Sequence, residues 1–198
     1  MRLRPMRTVI LCLMGFILLS APSHAQVPVF TTMPTDSSIK FYVKSSVALV
    51  GKFSKWDAML KFKSNDVRTG VLDIQIQAAT VDTGSGMKNN KLRSDAFFDV
   101  EKNPLITFHS TKVVQTGPVT FDVVGDFSVR GVSKRETLKL TVEGKGTGAG
   151  TITGTMIFNR KDYGMTSGIP FVKIADHVEV TVDLKVKQVS GPLLVYQQ

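Results

Sequence analysis

Residues 173–187 read KIADHVEVTVDLKVK, and apolar and polar residues alternate through this stretch almost without a break. Ile174, Val178, Val180, Val182, Leu184 and Val186 fall on one side of an extended chain. Lys173, His177, Glu179, Thr181, Asp183, Lys185 and Lys187 fall on the other. A period of two sustained this long describes one long strand with a dry face and a wet face.

The same pattern recurs along the chain. Leu72, Ile74 and Ile76 alternate with Asp73, Gln75 and Gln77, and Leu138, Leu140 and Val142 with Lys139, Thr141 and Glu143. Phe121, Val123, Phe127 and Val129 share a face interrupted by Gly125; Ile152, Met156 and Phe158 share one interrupted by Gly154. A glycine at an inward position makes room for a bulky neighbour or a ligand, or marks a bend. Gly117-Pro118, Arg130-Gly131 and the glycine-rich run 144–150 punctuate these runs as turns. Eight strands are expected, at 37–47, 50–63, 69–80, 103–116, 119–130, 134–145, 150–160 and 173–187, with one helical insertion near 86–98. Runs of 11 to 15 residues, at about 3.3 Å each, exceed the usual strand length of about 17–20 Å. An ordinary sandwich does not need such strands, whereas an elongated eight-stranded antiparallel barrel does, and it can hold one small ligand.

The first 25 residues stand apart from this pattern. Arg2, Arg4 and Arg7 precede an apolar run from Val9 to Leu19, too short to span a bilayer, and Ser23-His24-Ala25 supplies small residues for cleavage. A cleavable signal peptide over 1–25 is expected, followed by a single domain over 26–198. Removing the signal takes away the only cysteine, Cys12, so the mature chain has no disulfide and its stability must come from packing. Net charge falls from +9 to +6, because the signal carries three arginines and no acid. Its lysines are spread over alternate strand positions, the pattern of a solvated sheet face and not of a nucleic-acid surface. No stable membrane insertion is expected; weak attraction to an anionic membrane surface is compatible with the charge.

Catalytic and metal chemistry find little support. His109 and His177 are the only histidines after the signal, fall on outward strand positions, and have no metal-ligand spacing with another His, Asp or Glu. No serine sits in a Gly-x-Ser-x-Gly elbow. The run Gly144–Gly150 superficially suggests a phosphate loop, but no Gly-Lys-Ser/Thr follows and a strand comes next, so a flexible hairpin is the better reading. No catalytic residue, metal or cofactor is expected.

Apolar capacity remains. The chain has twelve phenylalanines. Phe53, Trp56, Leu60 and Phe62 cluster in the second strand, Phe97 and Phe98 lie at the end of the helical segment, and Phe108, Phe127 and Phe158 come from three further strands. They make either an ordinary filled core or the wall of a long apolar site, which needs concave apolar surface and few polar groups. The segment KLRSDAFFDVEKNPLITFHS, residues 91–110, sets Lys91, Leu92 and Arg93 beside the Phe pair and ends at Pro104 before a strand. At a barrel mouth its cations would face a head group while Leu92, Phe97 and Phe98 touch a tail; otherwise they form a solvated helix face.

Several ordered blocks resemble the YceI-like family over about residues 34–188. They include Ser38 through Val43, Gly51-Lys52-Phe53, Val81-Asp82-Thr83, and Leu92 through Phe98. Pro104 through Thr111, Gly125 through Lys134, Arg160 through Gly164, and Asp176 through Val178 complete the series. The resemblance implies a lipocalin-like barrel in the periplasm that binds or carries a polyisoprenoid lipid of polyprenyl or quinone type without catalysis. It adds Tyr163 to the expected ligand-binding residues. Lys88, Asn89, Asn90 and Lys91 stand where the family often reads Arg-Asp-x-His. A stress-related accessory protein acting through its outer surface is the alternative, and long strands could also pair two copies as a homodimer.

Overall fold

In the computed structural model the described residues are 26–46, 49–168 and 174–197, so the expected signal peptide with Cys12 lies outside them. The strands are β1 (Val29–Thr32), β2 (Ser38–Ser45), β3 (Leu49–Phe53), β4 (Trp56–Phe62), β5 (Gly70–Gln77) and β6 (Val81–Asp82). The helix α1 (Gly86–Arg93) follows, then β7 (Leu105–Gln115), β8 (Thr120–Val129), β9 (Val132–Glu143), β10 (Ala149–Asn159) and β11 (Ile174–Ser190).

All named strands pair antiparallel in one sheet of order β4-β5-β7-β8-β9-β10-β11-β2-β3-β6, with β1 added on β11. β3 and β4 stand near opposite ends of this order, yet only Ser54 and Lys55 separate them. One bent strand therefore serves both ends, and the sheet curls into a barrel. β1 strengthens the seam: it pairs with β11, and Thr32 Oγ1 donates to the Ala58 carbonyl of β4 at 3.0 Å. Counting the bent strand once and setting aside the short β1 and β6 leaves eight long strands among the described residues, the number that the sequence predicts.

The expected single strand over 50–63 is corrected to two, joined by a corner. Inward positions are odd in β3 (Leu49, Gly51, Phe53) and even in β4 (Ala58, Phe62). The corner is stapled by the 3-10 turn Ala78–Thr80, which also ends β5 short of the expected residue 80. Thr80 Oγ1 accepts from Lys55 N at 3.2 Å and donates to the Gln77 carbonyl at 2.7 Å.

Arg130 (φ 54°) and Gly131 (φ 74°) both take the left-handed conformation in a two-residue turn between β8 and β9. That geometry matches the twist of the strands it joins. The inward glycines are filled by neighbours. A Cβ at Gly154 would collide with Leu140 Cδ2 and Val182 Cγ2, and one at Gly125 would lie 2.7 Å from Phe108 Cζ. The stretch 144–150 is the β9–β10 hairpin, as its sequence predicts.

Candidate functional site

One barrel end is covered by α1 and the chain that follows it. Ser85 caps the helix, its Oγ accepting from Lys88 N at 3.5 Å. Asn89 ties the helix to β6: its Oδ1 accepts from Thr83 N at 2.8 Å and from Thr83 Oγ1 at 2.7 Å. Asp82 Oδ1 accepts from Gly84 N at 2.9 Å and from Asn89 Nδ2 at 3.4 Å, and these bonds hold its carboxyl below the usual carboxylate range.

The helix ends at Arg93, not near residue 98 as its sequence suggests. Ser94 leaves the helical conformation with ψ 168°, and a tight turn follows in which Phe98 N donates to the Leu92 carbonyl at 2.9 Å. A continuing helix would splay the two adjacent phenylalanines about 100° apart. The turn instead buries both, at 4% and 8% exposure.

Phe97, Phe98 and Leu92 roof a chamber whose walls include Phe53, Phe127 and Phe158. Phe53 and Phe98 lie 6.1 Å apart between ring centres, and Phe127 and Phe158 lie 5.0 Å apart. Its cavity is about 60 Å³. One water needs about 10–15 Å³. The space is therefore narrow, with room for only a few waters.

The remaining sequence-predicted residues fall elsewhere. Phe108 lines a small space at mid-barrel, and Leu60 lines a chamber at the opposite end. Trp56 packs half-buried against the core at the β3–β4 corner. Tyr163 stands behind the wall, fully buried, with its ring edge-on to Phe127 and Phe158 at 5.5 and 5.2 Å. Its hydroxyl donates to Glu136 Oε1 at 2.8 Å, and burial, with Glu136 adding to it, pushes its pKa far above the ordinary range. Arg93 is turned back as a brace, its Nε donating to the Ala79 carbonyl at 2.8 Å and its Nη2 to the Val81 carbonyl at 3.2 Å. Lys91 is exposed.

Among the described residues, the polar group that does line the chamber is Arg160, buried at 6% exposure. Its Nε donates to the Ala175 carbonyl at 3.1 Å, its Nη1 to the carbonyls of Met165 and Ser167, and its Nη2 to Asp176 Oδ1 at 3.2 Å. These acceptors offset the cost of taking the cation out of water. Lys161 Nζ lies 2.8 Å from Asp176 Oδ2, and that bond, with both cations, holds the Asp176 carboxyl below its usual range. Sequence reasoning did not place Arg160 at the site, yet a signal was present. It continues the inward series Ile152, Met156, Phe158 of β10, and a charge at an inward position needs a reason.

His109 is on the outer surface and contacts Asp73 through Nδ1, and His177 is exposed, as their outward positions predict. Among the described residues no three His, Cys, Asp or Glu side chains group as metal ligands, and no helix is long and apolar enough to cross a membrane.

The family model described as the YceI-like domain matches residues 30–186. The chain belongs to the YceI-like family. Among its relatives, a UPF0312 protein of Shewanella denitrificans is 31% identical over 157 residues, 75% of this chain and 82% of the relative. Another, from Pseudomonas savastanoi pv. phaseolicola, is 30% identical over 132 residues, covering 64% and 68%. The fold is shared with BcnA of Burkholderia cenocepacia (TM-score 0.71, 24% identity, 78% of this chain and 99% of that one). It is also shared with a domain of Saccharophagus degradans described as polyisoprenoid-binding and implicated in plant cell wall breakdown (TM-score 0.64, 14% identity, 81% and 99%). The YceI-like barrel is thus the frame on which the Phe-roofed chamber is built.

Proposed function

We propose that this YceI-like protein binds or carries an isoprenoid lipid, of polyprenyl or quinone type, in the helix-end chamber, without catalysis. The observation that carries the reading is the turn bearing Phe97 and Phe98, which roofs an apolar chamber whose one charged wall residue, among the described residues, is Arg160. The description of the Saccharophagus degradans domain as polyisoprenoid-binding supports the same ligand class.

Burial contributes about 0.8 kcal/mol per CH₂ equivalent, against about 4–15 kcal/mol for the lost freedom of the partners. A tail of one isoprene unit barely offsets the lower figure; several units are needed for firm binding. Arg160 supports recognition of a neutral oxygen head. A guanidinium has five N–H donors, and four of those of Arg160 are committed, leaving one on Nη2 among the described residues. Its charge is already paired with Asp176, so a quinone carbonyl or an alcohol suits it better than a second anion. Export to the periplasm by the signal over 1–25 completes the reading.

Solvent extraction of the purified mature protein followed by mass spectrometry tests it. A co-purifying polyprenyl lipid at near-equimolar amount is the expected result. A lipid-free barrel that takes up no added isoprenoid quinone overturns it and turns attention to the outer surface.

A further inference from the structure

The barrel end opposite α1 has a chamber of its own. It is about 90 Å³, with Phe62, Phe121 and Ile152 among its walls. It shares no wall residue with the helix-end chamber or the mid-barrel space. The packing of Leu140 and Val182 over Gly154 occupies the barrel between them.

Its cover comes from residues 191–197, which lie beyond the 30–186 matched by the family model. This strap turns at Gly191 (φ 85°) and lays Leu193, Leu194 and Tyr196 over the chamber. Val195 N donates to the Asn65 carbonyl at 2.7 Å and the Val195 carbonyl accepts from Val67 N at 3.1 Å. Gln197 exchanges two bonds of 2.9 Å with the Gln115 side chain at the exposed rim. Leu193 and Val195 remain more than half exposed. The strap is thus held by these rim bonds, by Gln188 Nε2 donating to the Gly191 and Pro192 carbonyls at 2.9 and 2.7 Å, and by the partial burial of Leu194 and of Tyr196, whose ring centre lies 6.0 Å from that of Phe121.

The other side of the mouth is the hairpin 144–150. Its Gly146 and Gly148 have open space where a side chain would be, so nothing packs against the hairpin at those positions. Lys145 Nζ sits 4.5 Å above the centre of the Tyr196 ring and forms no ion pair among the described residues. When the strap lifts, the chamber loses its cover and Lys145 loses its ring together.

We propose that this far chamber is a second ligand site, gated by the strap, for a single-chain carboxylate amphiphile of fatty-acid type. The chain would take the place of Leu194 and Tyr196, and the carboxylate would meet Lys145, exchanging a cation–π contact for an ion pair. A single negative charge fits because Glu143 also stands at the mouth and opposes a multiply charged head.

The test uses cis-parinaric acid, a slim fluorescent polyene acid, titrated into the mature protein carrying Phe98→Asp, which disables the helix-end chamber. Deleting the residues after Ser190 should raise affinity by about tenfold, a change easily resolved in a binding isotherm. Lys145→Ala in that background should lower it again, and the methyl ester of the probe should be insensitive to Lys145. A second variant covers a deletion that fails to fold. Asp66 and Val195 are bridge partners, so Asp66→Cys with Val195→Cys can tether the strap in a mature chain that has no other thiol. The oxidised form should lose the site and reduction should restore it, with the missing Asp66 side chain common to both forms. Equal parinarate binding by the oxidised and reduced forms overturns the gate, and binding indifferent to Lys145 in an opened barrel overturns the carboxylate. If Phe98→Asp itself unfolds the barrel, the oxidised and reduced comparison is made with Phe98 in place, reading stoichiometry in place of affinity. Loss of isoprenoid at the helix end would leave this result untouched.

Discussion

The Arg130 guanidinium donates to the Asp95 carbonyl at 2.9 Å, so the β8–β9 turn holds down the turn that carries Phe97 and Phe98. Its other Nη donates to the Gly164 carbonyl at 3.0 Å, joining three loops at one barrel mouth. Arg130→Gly and Arg130→Ala both remove this clasp and should release bound lipid several-fold faster in a dilution assay. They differ in backbone cost. At φ 54° a glycine is at ease and an alanine is not, so the alanine variant should be about 1 kcal/mol the less stable in urea unfolding. Unchanged release from both variants would show that the roof does not depend on the clasp.

Phe98→Asp brings a carboxylate under an apolar roof, where it is costly unless neutralised or paired. Bound lipid should fall sharply while far-UV circular dichroism stays that of a β-barrel. Arg93→Ala should behave oppositely. It removes two bonds from a charged donor to the Ala79 and Val81 carbonyls and should cost about 1–3 kcal/mol of stability while lipid load is kept. A folded Phe98→Asp protein with a full lipid load would refute the roof assignment.

One carboxylate and one tyrosine, Asp82 and Tyr163, contribute to opposite limbs of the pH-stability curve. Asp82 is held below the ordinary carboxylate range in the fold, so at acid pH the unfolded chain binds more protons. Its contribution is complete above about pH 4 and is lost as pH falls through the lower folded value. Tyr163 is raised in the fold, so above about pH 10 the unfolded chain releases a proton that the folded chain keeps, and stability falls as pH rises. Asp82→Asn should flatten the acid limb and Tyr163→Phe the alkaline one, measured as thermal midpoints across pH. Identical limbs in variant and parent would rule out these assignments.

His109→Ala and His177→Ala should each leave lipid content unchanged and alter stability by less than about 0.5 kcal/mol, because both are exposed on the outer surface. Loss of ligand or of a bound metal from either variant would reveal a site at that surface.

Export predicts that the mature chain begins at Gln26. Amino-terminal sequencing of periplasmic protein checks this, and an intact Met1 in the membrane fraction would contradict it.

The long strands were legible because one wet and one dry face impose a period of two over ten residues or more. The β3–β4 corner was missed although it leaves a trace: inward parity changes between Phe53 and Ala58, with Ser54 and Lys55 as the break. β1 is four residues long, too short for a period to register, and is defined by partners at 186–190. The site was legible in type but not in membership. Phe97 and Phe98 announce an apolar roof, whereas Tyr163 and Phe158, close in sequence and similar in character, separate into support and lining only once the turn Arg160–Tyr163 is formed. Arg93 and Arg160 illustrate the same limit, since which cation faces the chamber depends on which carbonyls lie within reach. The apolar residues of 191–197 have no period and found their partners only across the barrel end.

The order of strands around the barrel also has a kinetic consequence. β2 pairs with β11, setting Ser38 against Asp183, so the first long strand must wait for the last. Loop-closure entropy is paid over nearly the whole domain before that ladder gives anything back, which is the hallmark of slow folding. Until then β2, paired with β3 on one side, is left with one unsatisfied edge and a half-built apolar interior. Such a chain is prone to association until its carboxyl-terminal strand arrives, and it would profit from a holdase that keeps β2 apart from its copies.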